Sequence, residues 1–165
     1  MKILAIDSSS LVATVAVVQD DIMIAEYTIN HKKTHSQTLL PMIDEIVKMA
    51  EIKLDDIDAI AISGGPGSFT GLRIGSATAK GLGLVWKKPL IHVPTVDAMA
   101  YNLYGTDKLI CPIMDARRNQ TYTGIYRFDN EEFVTVVEQC AISIEELVSK
   151  INELKKPVIF VGDGI

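Results

Sequence analysis

The chain has 165 residues, enough for one ordinary core. Its 48% hydrophobic and 6% aromatic content excludes disorder and collagen-like repeats. The formal net charge is −5, and basic residues fall as scattered pairs (Lys32-Lys33, Lys87-Lys88, Arg117-Arg118, Lys155-Lys156) that read as solvated surface, so a partner would supply most of the grip on any nucleic acid. The N-terminal apolar run of MKILAIDSSS stops at Asp7, too short for a signal-peptide core or a membrane span, so a cytoplasmic protein is expected.

In chain order, Lys2 to Asp7 reads as a strand, followed by strands over Leu11 to Val18 and Ile22 to Ile29 joined by a short turn at Gln19-Asp20-Asp21. A helix follows from about Ser36 to Glu51, then a strand from Asp58 to Ile62. A glycine-rich loop, SGGPGSFTGLRIG, leads into a long helical pattern, with the strand-like PLIHV beyond it. The order then recurs. Leu109 to Met114, Thr121 to Phe128 and Phe133 to Glu138 read as strands, Ser143 to Leu154 as a helix, and Pro157 to Val161 as a strand. The first strand of each half ends in aspartate, Asp7 or Asp115, and the last runs into glycines. This repetition predicts a duplicated α/β domain of two βββαβ lobes, 1–106 and 107–165, each a three-stranded antiparallel meander with a crossover strand added in parallel. The second lobe is expected to be incomplete, because nothing follows VGDGI.

The glycine loop lacks the G-x-x-x-x-G-K-[ST] of a P-loop and the G-x-G-x-x-G of a dinucleotide site. Its amides could still hold an anion at a helix N-terminus, or its glycines could simply take positive φ while Ser68 or Thr70 caps the helix. Arg73 in the first turn opposes the helix dipole and calls for an acidic or anionic partner, with Asp7 one candidate. Asp7 with Ser8-Ser9-Ser10 resembles the phosphate loop of the actin and sugar-kinase superfamily, with serines where that loop has glycine. The candidate anion or nucleotide set is therefore Asp7, Ser8, Ser9, Gly65, Gly67 and Arg73. ATP or ADP would be its ligand, although no cofactor is expected.

His31 and His35 have the i, i+4 spacing of a metal pair but no third ligand, and read as solvated loop histidines; no metal site is expected. His92 reads as a core or sheet-face histidine. Cys111 and Cys140 read as small buried hydrophobes in a reducing compartment. No G-x-S-x-G, H-E-x-x-H or paired acid-base constellation is present, so no catalytic residue is nominated.

The stretches ILAIDSS, HSQTLLPMID, ISGGPGSFTGLRIGSATAKGL, VPTVDAMA and CPIMDARRNQTY closely resemble the TsaB (YeaZ) family, and SGGPGSFTGLRIG is highly specific to it. The resemblance covers nearly the whole chain. It implies the duplicated actin/Hsp70/sugar-kinase (ASKHA) fold. It also implies a non-catalytic scaffold subunit for TsaD in the synthesis of threonylcarbamoyl-adenosine (t6A) on tRNA, with the ATPase TsaE joining and tRNA reached through the complex. In that family the paralogue TsaD carries the metal-binding histidines; here His31 and His35 lack its surrounding motif. The family pattern continues past VGDGI, which implies a chain cut short. A nucleotide-dependent enzyme of the sugar-kinase type is the alternative, and a glycoprotease-like peptidase a more remote one.

Two helices carry the expected partner surface. Leu39, Leu40, Met42, Ile43, Ile46, Val47 and Met49, with Ala50, fill half the circumference of the first, more than the roughly 100° stripe that covers a helix's own core. In the helix after the glycine loop, Arg73, Ser76 and Lys80 form one narrow polar strip, and the rest, including Leu72, Gly75, Ala79 and Leu82, is expected to be covered. Both helices are expected to pack against a second copy in isolation and against the catalytic paralogue in the cell.

Overall fold

The computed structural model describes residues 1–31 and 34–164; the Lys32-Lys33 pair and Ile165 lie outside the described residues. The chain forms two compact units, Met1–Pro94 and Thr95–Ile165. This division falls ahead of the expected one at 106/107. The reason is a short helix, α3 (Thr95–Tyr101), whose Val96 and Ala100 pack with Ile110 and Tyr126 of the second unit. The stretch 104–108 that suggested a boundary lies in the connection between α3 and the next strand.

The first unit is a five-stranded sheet in the order β3-β2-β1-β4-β5. Its strands are β1 (Lys2–Asp7), β2 (Ala13–Gln19), β3 (Ile22–Ile29), β4 (Ala59–Ser63) and β5 (Leu90–Val93). β1, β2 and β3 form the antiparallel meander, and β4 joins β1 in parallel with Ile3 opposite Ala59 and Ile6 opposite Ile62. The second unit has the order β8-β7-β6-β9, from β6 (Leu109–Arg117), β7 (Gln120–Asp129), β8 (Glu132–Ser143) and β9 (Val158–Val161). Again the first three strands are antiparallel and the last joins β6 in parallel. The expected duplication is therefore present strand for strand.

Period-2 alternation explains how β6 serves two helices. Leu109, Cys111 and Ile113 cluster with Leu147 of α4 (Ile144–Leu154), while Ile110 meets α3. Ser143 caps α4 by accepting from the Glu146 amide at 3.2 Å.

In the first unit, α1 (His35–Met49) packs across β2 and β3. Leu39, Met42, Ile43 and Ile46 recur at helical spacing and join Leu4, Ile6, Val15, Val17 and Ile60 in one buried cluster. Each contributes roughly 1.5–3 kcal/mol by burial. These four side chains are thus core, not partner surface, because the sheet face needs this helix as its cover. Val47 is half-buried against the same cluster. Only Leu40, 54% exposed, and Met49, 76% exposed, point outward from the expected α1 set.

Helix α2 (Phe69–Trp86) follows the glycine loop and packs on β4, β1 and α1. Ser68 caps it, its Oγ accepting from the Gly71 amide at 3.3 Å. Gly71, Gly75, Ala79 and Gly83, spaced by four, form its buried stripe. A Cβ at Gly71 would lie 2.0 Å from the Ser8 carbonyl oxygen, and one at Gly75 would lie 2.3 Å from Ser8 Oγ. Gly75 and Ala79 are accordingly buried within the unit, and Leu72 and Leu82 are half-buried. The opposite face is not covered as expected. It exposes Phe69, Leu84 and Val85, with Arg73, Ala77, Lys80 and Gly81 among them. No helix among the described residues is long and apolar enough to cross a membrane.

The two kinds of glycine on α2 respond oppositely to a methyl group. Gly71→Ala must push its methyl group into the Ser8 carbonyl and should destabilise the chain by about 1–3 kcal/mol. Gly81 meets nothing within 4 Å, so Gly81→Ala should stabilise it by about 0.5–1 kcal/mol through helix propensity. Urea midpoints of the two variants, measured against the parent, check both signs.

Candidate functional site

The β1–β2 turn and the start of α2 meet at one junction. Asp7 Oδ1 accepts from the Ser9 amide at 2.8 Å. Ser8 is fully buried, and its hydroxyl donates to the Gly71 carbonyl at 2.9 Å. The Ser68 amide donates to the Ser9 carbonyl at 2.7 Å. Gly67 passes so close that a Cβ there would stand 2.4 Å from the same oxygen. Gly67 and Gly65 have φ of 154° and 108°, values a side chain would resist, so the glycines do take positive φ and Ser68 does cap the helix.

Of the residues nominated for an anion, Asp7, Ser8, Ser9 and Gly67 come together here, with Gly65 in the loop just ahead. Arg73 does not join them. Its guanidinium lies over the Phe69 ring, 4.0 Å from the centroid, on the exposed face of α2. The aromatic ring one turn earlier takes the place of the acidic partner expected from the helix dipole. Chemically, the junction is a clamp: the Ser8 hydroxyl, the Ser9 amide and the Asp7 carboxylate are engaged with protein atoms.

The two histidines part company. His35 is half-buried at the start of α1, and its Nε2–H donates to the Ser10 carbonyl at 2.8 Å, which ties α1 to the same turn. It is therefore a structural tie and not a solvated loop residue, a role that depends on a contact 25 residues away and left no local signal. His31 instead lines an open groove of about 910 Å³ between β3 and α1, with Tyr27, Gln37, Thr38 and Glu45. Among the described residues no group of three or more His, Cys, Asp or Glu side chains could hold a metal. His92 lies on the exposed edge strand β5, its ring occupying the space that a Gly64 side chain would need.

In the second unit, burial pushes the Tyr126 phenol far above its ordinary range, and the neighbouring Asp97 carboxylate adds to the shift. That phenol stays protonated and acts as core. Burial likewise pushes the Cys111 thiol up, opposed by its contact with Thr123 at 3.4 Å, and both cysteines are free. Cys111 is buried as expected; Cys140 is only half-buried. Burial also pushes the Cys140 thiol up, against the opposing pull of Lys150, so neither cysteine is held as a thiolate.

Large apolar side chains are exposed on several elements of the first unit, among them Ile22, Met23 and Ile24 of the edge strand β3 and residues of its two packed helices. Leu40 and Met49 stand on α1, and Phe69, Leu84 and Val85 on α2, each between 54% and 81% exposed. On α2, Phe69 and Leu84 lie within about 60° of each other on the helical wheel, an exposed apolar stripe of the kind suited to association, whereas Leu40 and Met49 stand on opposite flanks of α1.

Comparison with known proteins places this architecture. A family model described as TsaD, tRNA N6-adenosine threonylcarbamoyltransferase, matches residues 23–164. The tRNA threonylcarbamoyladenosine biosynthesis protein TsaB of Bacillus subtilis is 36% identical over 162 residues, covering 98% of this chain and 71% of that protein. Its Escherichia coli counterpart is 34% identical over 168 residues, covering 99% and 72%. The solved structure of YeaZ from Pseudomonas aeruginosa superposes with a TM-score of 0.78 at 28% identity, over 87% of this chain and 68% of that one. Identity at this level runs along nearly the whole chain and is matched by the same fold in YeaZ: the chain belongs to the TsaB (YeaZ) family.

Proposed function

We propose that this chain is a non-catalytic scaffold subunit in tRNA threonylcarbamoyladenosine synthesis, pairing through the outward faces of α1 and α2 with a TsaD-like catalytic paralogue. The relatives named for that biosynthesis support the pathway. The observation that carries the mechanism is the exposed apolar stripe of α2, Phe69 and Leu84 with Val85, beside which Met49 or Leu40 would flank it from α1. A second copy would occupy the same face when the chain is alone, because a surface complementary to a paralogue of like fold can be self-complementary about a twofold axis. A TsaE-like ATPase and the tRNA join the assembly. On this reading the β1–β2 turn serves to hold α2 through Ser8, Ser9 and Asp7, and no nucleotide is assigned to it.

Leu84→Asp and Met49→Asp test the face. Each places a charge where it is solvated in the free subunit and buried unpaired in the complex. Gel filtration with light scattering should show that both variants fail to pair with the paralogue and with themselves, while circular dichroism and melting temperature stay unchanged. Met42→Asp, by contrast, should fail to fold, since Met42 is 1% exposed. Pairing that survives both outward substitutions removes the proposed face. In parallel, calorimetric titration of the isolated chain with ATP and Mg²⁺ should give no binding heat; saturable binding abolished by Asp7→Ala would favour the sugar-kinase alternative.

A further inference from the structure

The hairpin between β6 and β7 is built at a cost that its sequence need not have incurred. Three consecutive non-glycine residues, Arg117, Arg118 and Asn119, have φ of 62°, 54° and 58°. Arg117 pairs with Gln120, so Arg118-Asn119 is a two-residue loop with positive φ at both positions, the twist-matched hairpin turn that favours Asn-Gly. Asn tolerates this region through its short polar side chain; arginine has no such compensation. Asp115 braces the turn, its Oδ1 accepting from the Arg117 amide at 2.7 Å. Left-handed backbone at non-glycine residues also occurs at Asp20, Glu51, Lys87, Asn130, Glu131 and Lys155, so what sets this tip apart is that two adjacent arginines occupy it.

Both arginines are exposed, and among the described residues neither is in an ion pair, whereas Arg127 is bound to Asp129 at 2.6 Å. The other end of β7 is opposite in charge, with Asp129, Glu131 and Glu132 around its turn. A chain of net charge −5 therefore concentrates two unpaired guanidinium groups on one braced tip.

We propose that the β6–β7 tip, Arg117-Arg118-Asn119, contacts the phosphodiester backbone of the tRNA in the assembled complex. The inference rests on the reading of the chain as a subunit of a tRNA-modifying assembly. Guanidinium forks match phosphate oxygens in bidentate geometry, and Asn119 and Gln120 add neutral amide donors beside them. An acidic protein partner fits less well. From Arg117 to Gln120 the tip is wholly polar, without the apolar or aromatic anchor around which protein interfaces are built.

The test uses the complex of this chain with its catalytic paralogue and an unmodified tRNA transcript, with affinity measured at several salt concentrations. The double variant Arg117→Asn, Arg118→Gly removes both charges while easing the turn. Its melting temperature should hold or rise, and its pairing with the paralogue should be unchanged. Its tRNA affinity should fall roughly tenfold per arginine, and the slope of log affinity against log salt should become shallower by about one per arginine. Unchanged affinity and slope would reduce the arginines to turn residues and overturn the proposal. Weakened pairing with unchanged tRNA affinity would overturn it in favour of an acidic protein surface. A parent complex that neither binds tRNA better than the paralogue alone nor modifies it would instead bring down the functional reading on which the proposal stands.

Discussion

The first unit depends on one close approach. Helix α2 runs against the β1–β2 turn at a separation that Gly67, Gly71 and Gly75 permit and any side chain would prevent. Ser8 fills the gap with its hydroxyl on the Gly71 carbonyl, and the Ser68 amide closes onto the Ser9 carbonyl. Because the glycines can lie on only one side of the helix, this contact also fixes its rotation. The direction in which Phe69, Leu84 and Val85 point is a consequence of where the glycines must go.

That consequence links packing to function. The turn after the first strand is drawn into the protein by serine and histidine contacts. Its polar groups hold two helices in place, and α2 presents an apolar stripe. The proposed scaffold role would use this arrangement. The surface it offers must be rigid before the partner arrives, since any ordering on binding would weaken the association.

Much of the fold was legible from residues alone. The alternation of β1 and β2, the apolar run of β4, the helical spacing of Leu39, Met42, Ile43 and Ile46, and the recurrence of the same order after Leu109 all encode local geometry. Which side of α1 was core could not be read from its half-circumference of apolar residues, because that depends on how much sheet the helix must cover. Leu40 and Met49 differ from their neighbours only in what lies opposite them. The unit boundary was misplaced for a related reason: VPTVDAMA forms a helix whose allegiance is decided by Ile110 and Tyr126, far along the chain. For Arg73, the helix dipole asked for an anion and Phe69 answered with a ring face. The strained arginine tip gave no local signal, since DARRN contains no glycine to announce left-handed backbone.

The most direct measurement of the central claim is hydroxyl-radical footprinting of this chain, free and in complex with the catalytic paralogue. Met49, Phe69 and Leu84 are exposed in the free chain, and their oxidation should fall steeply on complex formation. Met23 on the edge strand β3 and Phe160 on the edge strand β9, also exposed, are not on the two helices and should be oxidised as before. Protection confined to Met23 or Phe160, with Met49, Phe69 and Leu84 as reactive as in the free chain, would contradict the account.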